Sequence, residues 1–508
     1  MSVTSLPAQR ASQTPAFEKN VRHADIDSLR GFAMLAVVVS TAYQYCLNAR
    51  GQLYNGTWLG RVLLSLDGVI GWFFVVSAFL LYAPLVRQGL TGRGAVTPRG
   101  FLIRRLLRAV PLYWLAIIVV WAYRTSKLPG DWRDLAEHLT FTEVFDSKRI
   151  FYTIGPAWFI ADEVMFYLFI AAIMTATIRH CHRAKTRESR LLAVSAPALL
   201  LILVSWGFKA WELFVSHVPA NHWSTWYGPL AWADNLGFGM LLAVVWVAAD
   251  GRLLSPRVLI GTRVGAGILF AAAVALRGQS AASVAMFHEL CMISFVALLA
   301  SSVFAAPDAL WRRALARPFL AGIGTISFSL YIWHEPILLF LSDHTVIGST
   351  QTNFWLIAVL LLVLSVPIAF VSYWVVEYPV GHLRSLFAPG GGLRDYYADD
   401  RVRLTMVEDR DEDQPPRRSL ARQGAGRDHH RGAGADVDGR PHRSGEGGPA
   451  GPGRRDGPAG HGSDVRRARH AALRPEGQAY PDGDRLPWWV ECRRPRETSG
   501  LGLRPPRT

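Results

Sequence analysis

The sequence predicts an all-α integral membrane protein of about ten transmembrane helices, with both termini in the cytoplasm and a disordered C-terminal tail. Three observations predict it. Long apolar runs recur between residues 31 and 380, the short connections alternate between basic and nearly uncharged, and apolar patterning stops beyond about Pro389. A segment needs about 20 mostly apolar residues to cross a hydrocarbon core of about 30 Å. The 51% hydrophobic content and mean hydropathy of +0.19 average an oily first part with a very polar last part, so the chain is read in two pieces.

Candidate spans fall at 31-47, 60-86, 102-123, 157-178, 191-209, 227-248, 258-276, 283-304, 318-342 and 353-378, the first being short. Basic connections contain Arg87, Arg93 and Arg99, then Arg179, Arg183, Lys185, Arg187 and Arg190, then Arg252 and Arg257, then Arg312, Arg313 and Arg317. They alternate with loops near 210-226, 277-282 and 343-352 that are nearly free of Lys and Arg. Positive loops stay in the cytoplasm, so this alternation predicts an even number of spans and two cytoplasmic termini. The loop at 124-156 carries Arg124, Lys127, Arg133, Lys148 and Arg149 but also Asp131, Asp134, Glu137, Glu143 and Asp146, and is placed outside.

The expected organisation is a polar cytoplasmic segment at 1-24, a transmembrane domain at 25-385 and an Arg/Gly/Pro-rich tail at 386-508. The first segment has no apolar core and does not read as a cleavable signal peptide. The tail cannot bury a core and is expected to be disordered. Its composition resembles a shifted frame of GC-rich coding sequence, which reading the gene tests. The formal charge of +15 suits an anionic lipid surface, so membrane lipids rather than nucleic acid are the expected partner. Cys46, Cys181, Cys291 and Cys492 have no paired spacing, and His180, Cys181 and His182 fall in a basic loop, so no disulfide framework or metal site is expected.

Ionisable residues within the spans fall at two predicted depths. Arg30, Arg104, Arg105, Arg108 and Glu377 lie at the cytoplasmic ends of spans one, three and ten. Asp67, Asp162, Glu163, Asp234, His288, Glu289, His334 and Glu335 lie in the outer parts of theirs. Such groups are expensive in lipid and usually face a partner, a cavity or a pathway. For the inner set the plain alternative is a row of positive-inside anchors, yet several guanidiniums at one mouth suit bidentate phosphate binding. For the outer set the plain alternative is hydrogen-bonded bridging between helices.

The order of these segments resembles the membrane acyltransferase-3 family, which O-acylates cell-surface carbohydrates. The resemblance rests on DSLRGFAMLAVVVST at 27-41, WFFVVSAFLLY at 72-82, RRLLRAVPLYW at 104-114, WFIADEVMFY at 158-167, and ISFSLYIWHEP at 326-336 followed by SYWVVEYP at 372-379. It implies an acyl-CoA donor held from the cytoplasm, with no bound cofactor, and transfer of an acetyl or other short acyl group to a hydroxyl of an extracytoplasmic carbohydrate or glycolipid. It carries donor binding to Arg30, Arg105 and Arg108, and matches Asp27, Glu163, His334 and Glu377 to the family's motifs.

The chain departs from the family's pattern where a first-span histidine, taken as the catalytic base, is replaced by Thr41. Eleven residues place Thr41 on the same helix face as Arg30, about 16 Å away. Gly71 stands where an acid is usual and Ala78 where the family has glycine. Threonine is no general base near neutral pH. Three accounts stay open. His334 or His288 serves as base with Glu163 orienting it; the chain has lost transfer and binds or moves an acyl or glycan ligand; or Thr41 or Ser40 carries the acyl group transiently. A secondary transporter is a separate alternative, weakened by the absence of an internal repeat. The expectation is a multi-pass plasma-membrane acyltransferase with His334, Glu163 and Thr41 as catalytic candidates.

Overall fold

The computed structural model describes residues 24-50, 57-92, 96-124, 131-306, 309-344, 347 and 354-385. Nearly all of the polar N-terminal segment and the whole expected tail lie outside the described residues. Among those residues every regular element is helical.

The chain runs through α1 (Ala24–Arg50), short α2 (Trp58–Ser65), a tight turn at Leu66–Val69, α3 (Ile70–Thr91) and α4 (Pro98–Arg124). Short α5 (Trp132–Leu139) and a turn at Glu143–Phe145 occupy the long connection to α6 (Ala157–Arg183). Then follow α7 (Arg187–Phe214), single-turn α8 (Trp223–Trp226), α9 (Pro229–Ala248), α10 (Pro256–Leu276) and α11 (Ala281–Val303). The last part comprises short α12 (Leu310–Leu315), α13 (Pro318–Thr325), α14 (Ser327–Asp343), α15 (Phe354–Ser372), a π-helical turn at Tyr373–Glu377, and α16 (Tyr378–Ser385).

Eight helical stretches are long and apolar enough to cross a membrane, and α13 with α14 makes a ninth if the pair counts as one span bent by 73°. The protein is a multi-pass membrane protein. The remaining predicted span, at 227-248, is a helix, but it is apolar only over Ala233–Ala248. Asp234 and Asn235, both buried, lie within the first turn of that stretch. Apolar side chains such as Leu200 and Leu203 on α7, Ile260 and Val264 on α10, and Val359 and Val363 on α15 are exposed. On a membrane helix such faces meet lipid.

Helices α1 and α13 cross with their backbones in contact. A Cβ on Gly31 would collide with the Leu320 carbonyl, and one on Gly324 with the Asp27 carbonyl. Small residues permit such approach where lipid supplies no hydrophobic drive for association. The Asp25 carboxylate, paired with Arg312 at 3.0 Å, fastens the same end of α1 to α12. This crossing sets Arg30 against the start of α14, where its guanidinium donates to Ser327 Oγ at 3.2 Å.

The long connection before α6 is itself a small core. Tyr113 on α4 donates to Glu143 Oε1 at 2.8 Å and to the His138 carbonyl at 3.0 Å. His138 Nδ1 lies 2.9 Å from the Asp134 carbonyl, and the Thr153 hydroxyl donates to the Asp134 carboxylate. Asp134, His138 and Glu143 are completely buried. Three of the bases that blur this loop's charge are occupied: Arg149 pairs with Asp146 at 2.6 Å, Arg133 with Glu137 at 2.7 Å, and Arg124 donates to the Tyr152 and Thr153 carbonyls.

Candidate functional site

Two cavities open beside α1 and α14. Each helix contributes to both, because residues three and four apart share one helix face. On α14 the stripe reads Ser327, Phe328, Tyr331, His334, Glu335 and Leu338; on α1 it reads Arg30, then Val37, Ser40, Thr41 and Gln44. Tyr331 is the residue common to the two linings among the described residues.

The first cavity, about 720 Å³, is basic. Arg30 from α1 and Arg105 and Arg108 from α4 face Glu163 and Tyr167 of α6. Arg30 lies 3.9 Å from Asp27, and Arg105 sits 6.0 Å over the Phe101 ring. Arg108 makes neither a hydrogen bond nor an ion pair among the described residues. The first turn of α14, with no side-chain cap, opens onto the same space through Ser327 and Phe328. Guanidiniums combined with the positive end of a helix make an anion site. Of the other inner residues, Arg104 does not line the cavity. Glu377 accepts from Ser329 at 2.5 Å in the π-helical turn and lies in the electrostatic field of Arg30.

The second cavity, about 760 Å³, contains two imidazoles, from His334 and His288, with Thr41, Ser40, Gln44, Asp67 and Glu335 as further polar lining. His334 is completely buried. Its Nδ1 lies 2.7 Å from the Tyr331 carbonyl and its Nε2 3.2 Å from Thr41 Oγ1. A carbonyl only accepts, so Nδ1 carries the proton and Nε2 presents a lone pair to the threonine hydroxyl. Thr41 also reaches the Val37 carbonyl at 3.0 Å, one turn back. Trp158, Tyr227 and Trp232 form an aromatic wall, Trp158 lying 5.0 Å from Tyr227 and 5.3 Å from Trp232 between ring centroids. His288 packs on this wall, 4.9 Å from Trp232.

Glu163 departs from its expected place. The sequence puts it beside His334 as an orienting partner, whereas it lines the arginine cavity, and the Tyr331 carbonyl holds His334 instead. The reason is the start of α6. The connection before it is buried, and the Gly155 amide donates to Glu335 Oε2 at 2.5 Å, so α6 begins already alongside α14. Six residues further, Glu163 lies about 9 Å deeper along the helix.

The expected outer layer of eight ionisable groups also divides. Asp234 and Glu289 are taken by Lys209 of α7, with Asp234 at 2.7 Å, and Asp67 holds Arg277 in a bidentate pair at 2.5 and 2.7 Å. These are bridges between helices, although Asp67 also borders the second cavity. Asp162 is buried with neither carboxylate oxygen hydrogen-bonded among the described residues. Residue patterning missed Lys209, Arg277 and Tyr331. The two cations stand at the edges of apolar runs, which is the signal that an acid in a neighbouring span has a partner.

The acyltransferase-3 family profile, described as an acyltransferase domain, matches residues 23–374. The chain belongs to this family. It is therefore similar in kind to membrane acyltransferases, and that membership implies an acyl donor and an acceptor. Among curated proteins it is 24% identical over 377 residues to the O-acetyltransferase OatA of Staphylococcus aureus (strain NCTC 8325 / PS 47), covering 70% of this chain and 56% of that protein. A putative O-acetyltransferase of S. aureus (strain COL) is 23% identical over 379 residues, with the same coverage of 70% and 56%. The chain thus spans just over half the length of these relatives. No solved structure matches.

Proposed function

We propose that the protein moves an acetyl or other short acyl group from a cytoplasmic acyl-CoA to a hydroxyl of an extracytoplasmic carbohydrate or glycolipid. The observation that carries the reading is the pair of cavities meeting at Tyr331, one suited to phosphate and the other presenting the lone pair of a fixed imidazole. Arg30, Arg105 and Arg108 hold the phosphates of the donor, whose acyl end reaches past Tyr331. Glu163 and Asp27 balance the charge of that cavity and keep the guanidiniums oriented. In the second cavity His334 is the general base, because its Nε2 is the proton acceptor and its Nδ1–H donates to a carbonyl, which fixes the tautomer. The aromatic wall of Trp158, Tyr227 and Trp232 suits an acceptor that combines apolar ring faces with hydroxyl groups. The O-acetyl transfer for which the relatives are named agrees with this choice of acceptor atom.

The test is a mass comparison of surface glycans and glycolipids from cells with and without the gene. An acetyl-sized or other acyl-sized increment that disappears with the gene and returns with the native chain, but not with His334→Gln, is the expected result. Identical glycan and glycolipid masses in all strains would overturn the proposal.

A further inference from the structure

Thr41 Oγ1 stands 3.2 Å from His334 Nε2, on the wall of the second cavity and on the same face of α1 as Arg30. A hydroxyl within hydrogen-bond reach of a base whose other nitrogen is fixed by a third group is the arrangement of an activated nucleophile. The third group here is the Tyr331 carbonyl, 2.7 Å from Nδ1. The adjacent hydroxyl, on Ser40, also borders the cavity but accepts from Gln44 Nε2 at 3.2 Å, and the hydroxyl in reach of the imidazole is that of Thr41. Thr41 is only partly buried and faces the cavity. Its single proton has two acceptors, the Val37 carbonyl and His334 Nε2. Rotation of the hydroxyl toward the imidazole commits that proton to the base.

We propose that Thr41 is a covalent acyl carrier between the two cavities, so that transfer proceeds in two half-reactions; this rests on the acyl-transfer reading above. In the first, Thr41 Oγ bonds to the carbonyl carbon of an acyl thioester as the carbon–sulfur bond breaks. The hydroxyl proton passes to His334 Nε2 and then to the departing thiolate. In the second, an acceptor hydroxyl oxygen bonds to the same carbon and the carbon–Oγ bond breaks. His334 takes the acceptor's proton and returns it to Thr41 Oγ. The donor thus never has to share the cavity with the acceptor. Thr41 lies about 16 Å along α1 from Arg30, and it lines the second cavity together with the aromatic wall. The same imidazole serves both steps, as base toward the incoming oxygen and as acid toward the leaving group.

The full-length protein, purified in detergent without added glycan, is incubated with acetyl-CoA labelled in the acetyl group, quenched in acid and mapped by peptide mass. Transfer is followed separately in native membrane vesicles. Label on the peptide containing Thr41 is expected in the native protein and not in Thr41→Val or His334→Gln. Thr41→Val should bind acetyl-CoA as the native protein does, which establishes its fold, while transfer falls at least about 10²-fold. Thr41→Ser should take up label and keep part of the transfer, and Thr41→Cys should form a thioester that neutral hydroxylamine cleaves. Acylated glycan made by the native protein with no labelled Thr41 in rapidly quenched samples, and made within about threefold as fast by Thr41→Val, would overturn the carrier and leave the acyl-transfer reading standing. A native protein that neither takes label nor acylates any glycan would overturn both.

Discussion

His334 and Glu163 face different cavities, so their contributions separate. His334 touches Thr41 and the Tyr331 carbonyl, whereas Glu163 faces Arg30, Arg105 and Arg108. Members of one catalytic unit are strongly non-additive, while groups without shared partners add to within about 0.5 kcal/mol. In kcat/KM for transfer, the double variant Glu163→Gln/His334→Gln should therefore lose the sum of the two single losses. A double variant no worse than His334→Gln alone would mean that the two act as one dyad. Arg108, without an ion pair among the described residues, offers the plainest donor test. Arg108→Ala should weaken acyl-CoA binding by about 1.5 to 3 kcal/mol, the scale of a hydrogen bond to a charged group. Lys at that position should restore binding only in part, because an ammonium lacks the planar fork. Titration calorimetry on the purified protein measures both, and native affinity in Arg108→Ala would return the residue to a topological anchor.

At the scale of elements, the connection from α4 to α6 determines where α6 starts and therefore which cavity Glu163 enters. Its core titrates near neutrality. Burial pushes the Glu143 carboxyl up from its ordinary 4.5 to about 7, against the opposing pull of the His138 charge and the Tyr113 hydroxyl. Burial alone would lower His138, but its hydrogen bond to Asp134 and the charges of Glu143 and Asp134 outweigh that and hold it above its ordinary 6.5. Both groups bind protons more tightly in the folded loop than in an opened one. By linkage their contribution is full below the unfolded values and is lost as pH rises through the folded ones. The loop should thus be tightest near pH 5 and loosen toward pH 8. Hydrogen exchange over residues 131-156, corrected for the intrinsic rate, should show protection falling across that range, and Glu143→Gln should flatten most of the fall. Protection that rises with pH would contradict the assignment of these protonation states. A loosened loop frees Gly155 from Glu335, so the geometry of the second cavity is tied to the same equilibrium.

For the whole molecule, the charges of the loops predict which cavity faces which side. If both termini lie inside, as those charges predict, the arginine cavity should open to the cytoplasm and the imidazole cavity to the exterior. A single cysteine at exposed Ser216, between α7 and α9, should react with a membrane-impermeant thiol reagent in intact cells, and one at exposed Thr186, between α6 and α7, should react only after permeabilisation. Labelling at Thr186 in sealed cells would reverse the assignment of donor and acceptor sides. The helical class and most of the spans were legible in the sequence, because crossing lipid requires long apolar helices and hydropathy registers them directly. The grouping of Arg30, Arg105 and Arg108 was also legible, since all three fall at predicted helix ends on one side. Depth within a span was not. Glu163 and His334 occupy similar places in their apolar runs, but α6 begins below a buried loop and α14 follows a bend of 73°, so equal distance along the chain is unequal depth in the bundle. Pairing was equally hidden: a lone Lys209 or Arg277 shows a charge to be satisfied, and only the packing of α7, α9 and α11, and of the end of α10 on the turn at Leu66–Val69, decides that Asp234, Glu289 and Asp67 satisfy it. The sequence by itself determined the solvent in which each helix lives and the side chains that lipid would reject. The tertiary structure alone decided which of those rejected groups neutralise one another and which, like the hydroxyl of Thr41 beside the lone pair of His334, are left facing a cavity. Hydropathy is a property of one segment against lipid, whereas partnership is a distance between segments.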